Sequence, residues 1–194
     1  MLYVQQSLSP DEKLIHVGQF HWTHDVAAAM NIVIWSVIAG VILAIGIYLP
    51  QYVNVPFIEQ YPDPNAGLLE QVRNTDPIIR ILAFLAFLVG IGKFAQMMII
   101  KATTEIAVTT SRVVYKRGVV ARYVGEISIN RIEGVNVLQS FFGRILNYGR
   151  VMVRGMGVGE VVLPTIEDPV TFRKAIFKAQ SLSRKSQSQS GQLQ

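Results

Sequence analysis

Residues 26–49 read VAAAMNIVIWSVIAGVILAIGIYL, an apolar run interrupted only by the polar Asn31 and Ser36. Crossing about 30 Å of hydrocarbon takes roughly 20 helical residues at about 1.5 Å each, so this run predicts a transmembrane helix. It does not fit a cleaved signal peptide. The apolar stretch is too long, a polar segment precedes it, and no small-residue cleavage site follows. A second run, IIRILAFLAFLVGIGKFAQMMII at residues 78–100, opens after Asp76-Pro77 as a helix start should and predicts a second span. Its one awkward residue, Lys93, lies in the last third, where a lysine can snorkel toward the headgroups. With no intramembrane carboxylate to partner Lys93, a conducting or proton-relay role is the weaker reading. Gly40 with Ala44, and Ala86 with Gly90, form small-xxx-small steps compatible with either a hairpin or self-association.

The whole chain of 194 residues fits a bilayer environment, with 51% hydrophobic and only 16% charged residues. Its charge is lopsided. Residues 1–25 carry Lys13 against Asp11, Glu12 and Asp25; residues 50–77 carry Arg73 against Glu59, Asp63, Glu70 and Asp76; from Lys101 onward 14 Lys or Arg face 6 Asp or Glu. Positive loops stay cytoplasmic, so residues 101–181 are predicted inside; two spans return the chain to the side it started from, which puts residues 1–25 inside as well and the 50–77 connection outside. Its Tyr52, Phe57 and Tyr61, with Tyr48, suit an aromatic belt, and its 28 residues, more than a hairpin needs, leave room for a short helix around residues 66–73 or for an external contact. The absence of cysteine excludes disulfide and thiol chemistry.

From Thr103 the pattern becomes alternating and β-branched, as in Glu105-Ile106-Ala107-Val108-Thr109, predicting an antiparallel sheet. The strands read as EIAVT, RVVYKR, VVARYV, EISINRI and VNVLQS, with turns at Thr110-Ser111, Lys116-Gly118, Gly125 and Glu133-Gly134. FFGRILN reads as one helical turn, RVMVRG and EVVLPTI as further strands, and Gly155, Gly157 and Gly159 as a hairpin turn rather than a phosphate loop. Asp168-Pro169 starts a helix with Phe172, Ala175, Ile176 and Ala179 on one face. Residues 182–194 read as a disordered tail.

The segments TTSRVVYKRGVV, ISINRIEGVNVLQSFFGRILNYGRVMVRG and VVLPTIEDPVTFRKAI, with YVQQSLSPDEKLIHVGQFHWTH upstream, resemble the bacterial pleckstrin-homology-like, YdbS-like, membrane-flanked domain family. The resemblance covers nearly the whole chain. It implies an α+β membrane protein, with a two-helix transmembrane hairpin and a partly open barrel of about seven strands capped by the helix bearing Phe172. It implies no activity, and the outward connection is longer than the family's usual hairpin.

No catalytic, cofactor or metal residue is expected. The segment from Lys101 onward has no histidine to act as general base. His16, His21 and His24 suit a membrane interface better than a metal site, alongside Trp22, Lys93 and Lys101 as interfacial residues. Arg112, Lys116, Arg117 and Arg122 form a candidate lipid-contacting cluster, and Arg144, Arg150 and Arg154 a second basic group. Nucleic acid is not an expected partner, since no stacked aromatics accompany the cations. The leading expectation is a non-enzymatic interaction or scaffold module anchored in the bacterial plasma membrane, engaging a protein partner or its own copies. The alternative is an anionic lipid-headgroup binder. A small transport or envelope-stress component is the third reading.

Overall fold

In the computed structural model the described residues are 2–49, 63, 65–118, 123–157 and 159–190. The chain divides into two compact units, one of residues 25–98 and one of residues 1–24 together with 99–194.

The first unit is helical. Helices α2 (Thr23–Tyr48) and α4 (Pro77–Thr103) are each long and apolar enough to cross a membrane. Only 17% of the apolar window of each is buried within the protein, the reverse of a helix at a soluble core. The two helices meet through small residues: Ala39, Ala83 and Ala86 are buried against Trp35, Ile42 and Leu43. A Cβ on Gly90 would lie 2.6 Å from the Trp35 Cβ, so only glycine permits this approach. Of the two small-xxx-small steps, Ala86 and Gly90 are therefore used within the pair, whereas Gly40 and Ala44 are exposed. A short helix α3 (Leu68–Asn74) precedes α4, whose first turn is capped by Asp76 accepting from the Ile78 N–H at 2.8 Å. Tyr52, Phe57 and Tyr61 lie outside the described residues.

The second unit is a two-sheet α+β domain. Strands β1 (Leu14–Gly18), β2 (Glu105–Thr109), β3 (Arg112–Arg117) and β4 (Tyr123–Ser128) form one antiparallel sheet in that order. Strands β5 (Ile132–Leu138), β6 (Tyr148–Gly155) and β7 (Gly159–Val162) form the other, with β8 (Ile166–Glu167) also paired to β6. Helix α1 (Leu2–Ser7) lies outside the first sheet, α5 (Phe141–Ile145) turns the corner from β5 to β6, and α6 (Pro169–Ser190) ends the domain. Alternate residues of both sheets, including Ile106, Val108, Val113, Ile127, Val135, Val151 and Val153, bury with Phe172, Ile176 and Ala179 of α6 in one core. Asp168 starts α6: the Thr171 N–H donates to its carboxylate at 3.2 Å, and hydrogen bonding from Thr171, outweighing burial, holds that carboxyl below its usual range.

Several expectations change here. Where a partly open barrel of about seven strands was expected, there are eight described strands in two sheets that do not close. The unexpected strand, β1, comes from ahead of the first apolar helix and pairs with β2 from beyond the second. The sheets join on one side, where Phe20 bridges Ile166 and the Glu167 N–H donates to Gln19 O at 2.9 Å. On the other side no pairing joins β4 to β7 among the described residues. Gly125 is no turn but sits within β4 opposite Tyr115, so Tyr123-Val124 and the start of EISINRI form one strand followed by a 3-10 turn over Ile129–Arg131, while residues 119–122 of VVARYV lie outside the described residues. Gly134 is not a turn either; it follows a bulge in β5, where one extra residue bends the strand without ending it. Helix α6 runs to Ser190 rather than stopping near residue 181, because its Ser, Arg, Lys and Gln residues include no breaker and each adds one more bond to an existing helix.

Candidate functional site

Strand β3 sends its basic residues to two different places. Its period-2 alternation directs Val113, Tyr115 and Arg117 to one face and Arg112, Val114 and Lys116 to the other. On the second face Tyr3 and Val4 of α1 cover Ala107 and Val114. Arg112 grips the almost fully buried Glu12 carboxylate through two bonds, Nε to Oε1 at 3.1 Å and Nη2 to Oε2 at 3.0 Å. It also donates to Glu126 at 2.9 Å and to the Ser7 carbonyl at 2.6 Å. Burial raises the Glu12 carboxyl, but hydrogen bonds from Thr109 and the Ser9 N–H, with the Arg112 charge, outweigh it and hold the group below its usual range. Lys116 pairs with Glu105 at 3.2 Å and lies 5.2 Å from the centre of the Tyr3 ring. Glu105 is likewise lowered against its burial, by the Val4 and Tyr3 N–H groups and by Lys116. Arg112 and Lys116 are thus part of a clasp that holds the N-terminal segment on the sheet.

Arg117 faces the opposite way, into the open seam. One hollow of about 460 Å³ lies between Tyr115, Arg117, Gly118 and Tyr123 on one sheet and Glu160, Val161 and Val162 on the other. A second, of about 370 Å³, shares Tyr115, Arg117 and Val162 and continues past Arg150 and Thr165 to Phe20, His24, Ile100 and Thr104. The seam is therefore one trough bordered by β4 and β7, the strands left unpaired at the gap. Arg117 and Arg150 are both exposed and have no ion pair among the described residues. The buried His24 Nδ1 also has no hydrogen-bond partner among the described residues. Two unpaired guanidinium groups suit carboxylates or phosphates, which they can grip bidentately. Arg154 is already near Glu160, at 3.9 Å.

The other expected site residues are dispersed. Arg122 lies outside the described residues. Trp22 is 55% exposed, Lys93 is exposed on α4, and Lys101 sits in the last turn of that helix. His21, expected at an interface, is instead buried in the domain, with Nδ1 2.9 Å from Thr23 Oγ1 and its ring 5.0 Å from that of Tyr148. His16 meets Phe172 edge-on at 5.8 Å. Sequence reasoning missed Thr165 and the pairing of Glu12. An acidic residue just ahead of the alternating LIHVG was the available signal for the latter.

A family model described as bacterial PH domain matches residues 13–180, a span that includes β1, both apolar helices and all the later strands. No curated protein and no solved structure matches the chain.

Proposed function

The chain belongs to the bacterial PH domain family, and from that premise we propose that it is a non-enzymatic interaction module anchored in the bacterial plasma membrane. In this reading α2 and α4 span the bilayer, and the two-sheet domain stands on the cytoplasmic side with both termini. The pairing of β1 with β2 supports the placement, because strands that share hydrogen bonds must lie on one side of a bilayer. The basic excess after Lys101 supports the cytoplasmic side.

The observation that carries the interaction role is the trough itself. An extended segment of a partner protein can add to the free edge of β4 or β7, as peptides add to exposed sheet edges elsewhere. Arg117 and Arg150 then select a segment with acidic side chains. A photo-crosslinking residue in place of Tyr123, introduced into the full-length protein in native membranes, tests this. A discrete protein adduct, lost in the Arg117→Gln/Arg150→Gln variant, is expected; labelling of lipid alone would overturn it. Self-association belongs to the same reading, supported by the exposed Gly40 and Ala44.

The same unpaired arginines favour a second reading, in which they hold the phosphate of an anionic lipid. Mass spectrometry of the protein released with its own lipids distinguishes the two. An anionic lipid retained by the parent chain and lost in the double Gln variant would favour the lipid; equal retention would remove it.

A further inference from the structure

The most conspicuous surface outside the trough is the corner between β5 and β6. Leu138, Phe141, Phe142, Ile145 and Leu146 are 53%, 74%, 66%, 64% and 40% exposed, so five large apolar side chains crowd into nine residues with their surfaces in water. An apolar group of this kind marks a place made to be covered. The corner beneath it is firmly built. Ser140 caps α5 by accepting from the Gly143 N–H at 3.1 Å, and Gln139 Nε2 donates to the carbonyls of Gly143 and Tyr148 at 3.3 and 3.1 Å. Gly143 is buried, and a Cβ there would meet Tyr148 O at 2.7 Å. The backbone therefore holds Phe141 and Phe142 outward, edge to face at 5.7 Å.

The charge around the corner identifies what covers it. Arg144 lies on α5 and Arg150 stands opposite Leu138 across the β5–β6 pair, while residues 134–159 contain no acidic side chain. A second copy docked on the same patch would bring arginine against arginine. Apolar residues ringed by arginines are the composition of segments that rest in the interface of an anionic bilayer. Arg150 and Thr165 line both the hollow beside Leu138 and the one that reaches Phe20, His24, Ile100 and Thr104.

We propose that this corner is a second, peripheral membrane contact: Phe141, Phe142 and Ile145 dip into the interface of an anionic leaflet while Arg144 and Arg150 meet lipid phosphates. The proposal rests on the membrane-anchored reading above, and it makes the bilayer fix the domain's orientation in addition to tethering it.

The absence of cysteine allows single labels to be placed cleanly. Phe142→Cys, carrying an environment-sensitive fluorophore in the full-length protein, is reconstituted at one copy per nanodisc containing phosphatidylglycerol. The expected result is blue-shifted emission that shallow spin-labelled lipid quenches. Both effects should be lost in the added Arg144→Gln/Arg150→Gln background or in phosphatidylcholine alone. Met156→Cys, at the far end of β6 and 59% exposed, should stay in water. The inference is overturned if the label at 142 emits as in water, is shielded without lipid quenching, or is shielded equally at 156. A label at Val37→Cys, exposed on α2, separates this failure from that of the anchor. Deep quenching at 37 with water at 142 sinks only the corner contact, whereas water at 37 sinks the anchored reading itself.

Discussion

Arg112 and Arg117 stand at the two ends of one strand and have opposite fates. Arg112 is bound on both sides, by Glu12 and by Glu126, and helps to close one face of the sheet. Arg117 has no such partner among the described residues and lines a trough left open. The helices repeat the contrast: Gly90 is filled by Trp35, whereas a side chain at Gly40 would meet nothing within 4 Å. Two residues of the same type therefore carry different weight according to whether another part of the chain has already engaged them. Composition alone cannot tell a structural cation from an available one.

The largest expected effect comes from breaking the closed face. Arg112→Leu leaves the Glu12 carboxylate buried without its counter-ion, and such a loss costs about 3 kcal/mol. Urea unfolding of the detergent-solubilised protein should show that drop, with faster amide exchange over residues 2–18. A change under 1 kcal/mol would mean that the clasp is not structural.

Next comes Gly90→Val, which forces Trp35 aside and should destabilise the helix pair by about 2 kcal/mol as an overpacked contact. In the monomeric protein, Gly40→Val should leave thermal unfolding of the same unit unchanged, because nothing lies within 4 Å of a Cβ there. Equal effects at both positions would erase the contrast between them.

Acid should open the clasp. Glu12 and Glu105 both have lowered folded values relative to the ordinary 4.5. Their contribution is therefore fully present above that value and is lost as pH falls through the folded values below it. The unfolding temperature should decline in that acidic window, and less steeply in Glu12→Gln/Glu105→Gln. A decline of the same slope in the variant would place the acid sensitivity elsewhere.

The smallest stability change belongs to Arg117→Gln/Arg150→Gln, expected within about 0.5 kcal/mol of the parent because neither side chain supports the fold. Partner capture should nonetheless be lost. A large destabilisation would show that the open side is as structural as the closed one.

Much of the architecture was legible in local pattern. The alternation in EIAVT and RVVYKR matches β2 and β3, FFGRILN gives α5, and Asp168-Pro169 marks the start of α6. What escaped depends on distant residues. LIHVG is five residues long and becomes a strand because Ile106–Thr109 offers it an edge some 90 positions later. Gly125 and Gly134 look like turns locally, yet tertiary pairing keeps both in strands. Pro164 splits EVVLPTI into two short strands by withholding an N–H. The site was half legible for the same reason: Arg117 was recognisable as a candidate, but that Arg112 and Lys116 are spoken for depends on Glu12 and Glu105 reaching them from elsewhere.

The pairing of β1 with β2 has a meaning for the making of the protein. The ribosome releases β1 before either apolar helix and β2 only after both, so the first sheet cannot gain its edge strand until the whole helical unit has been made. With both helices in a bilayer as proposed, failure of one to insert would leave the two strands on opposite sides, and Glu12 would never meet Arg112. On that reading a completed domain reports correct topology, and a misinserted chain would be left with an unpaired strand and a stranded carboxylate.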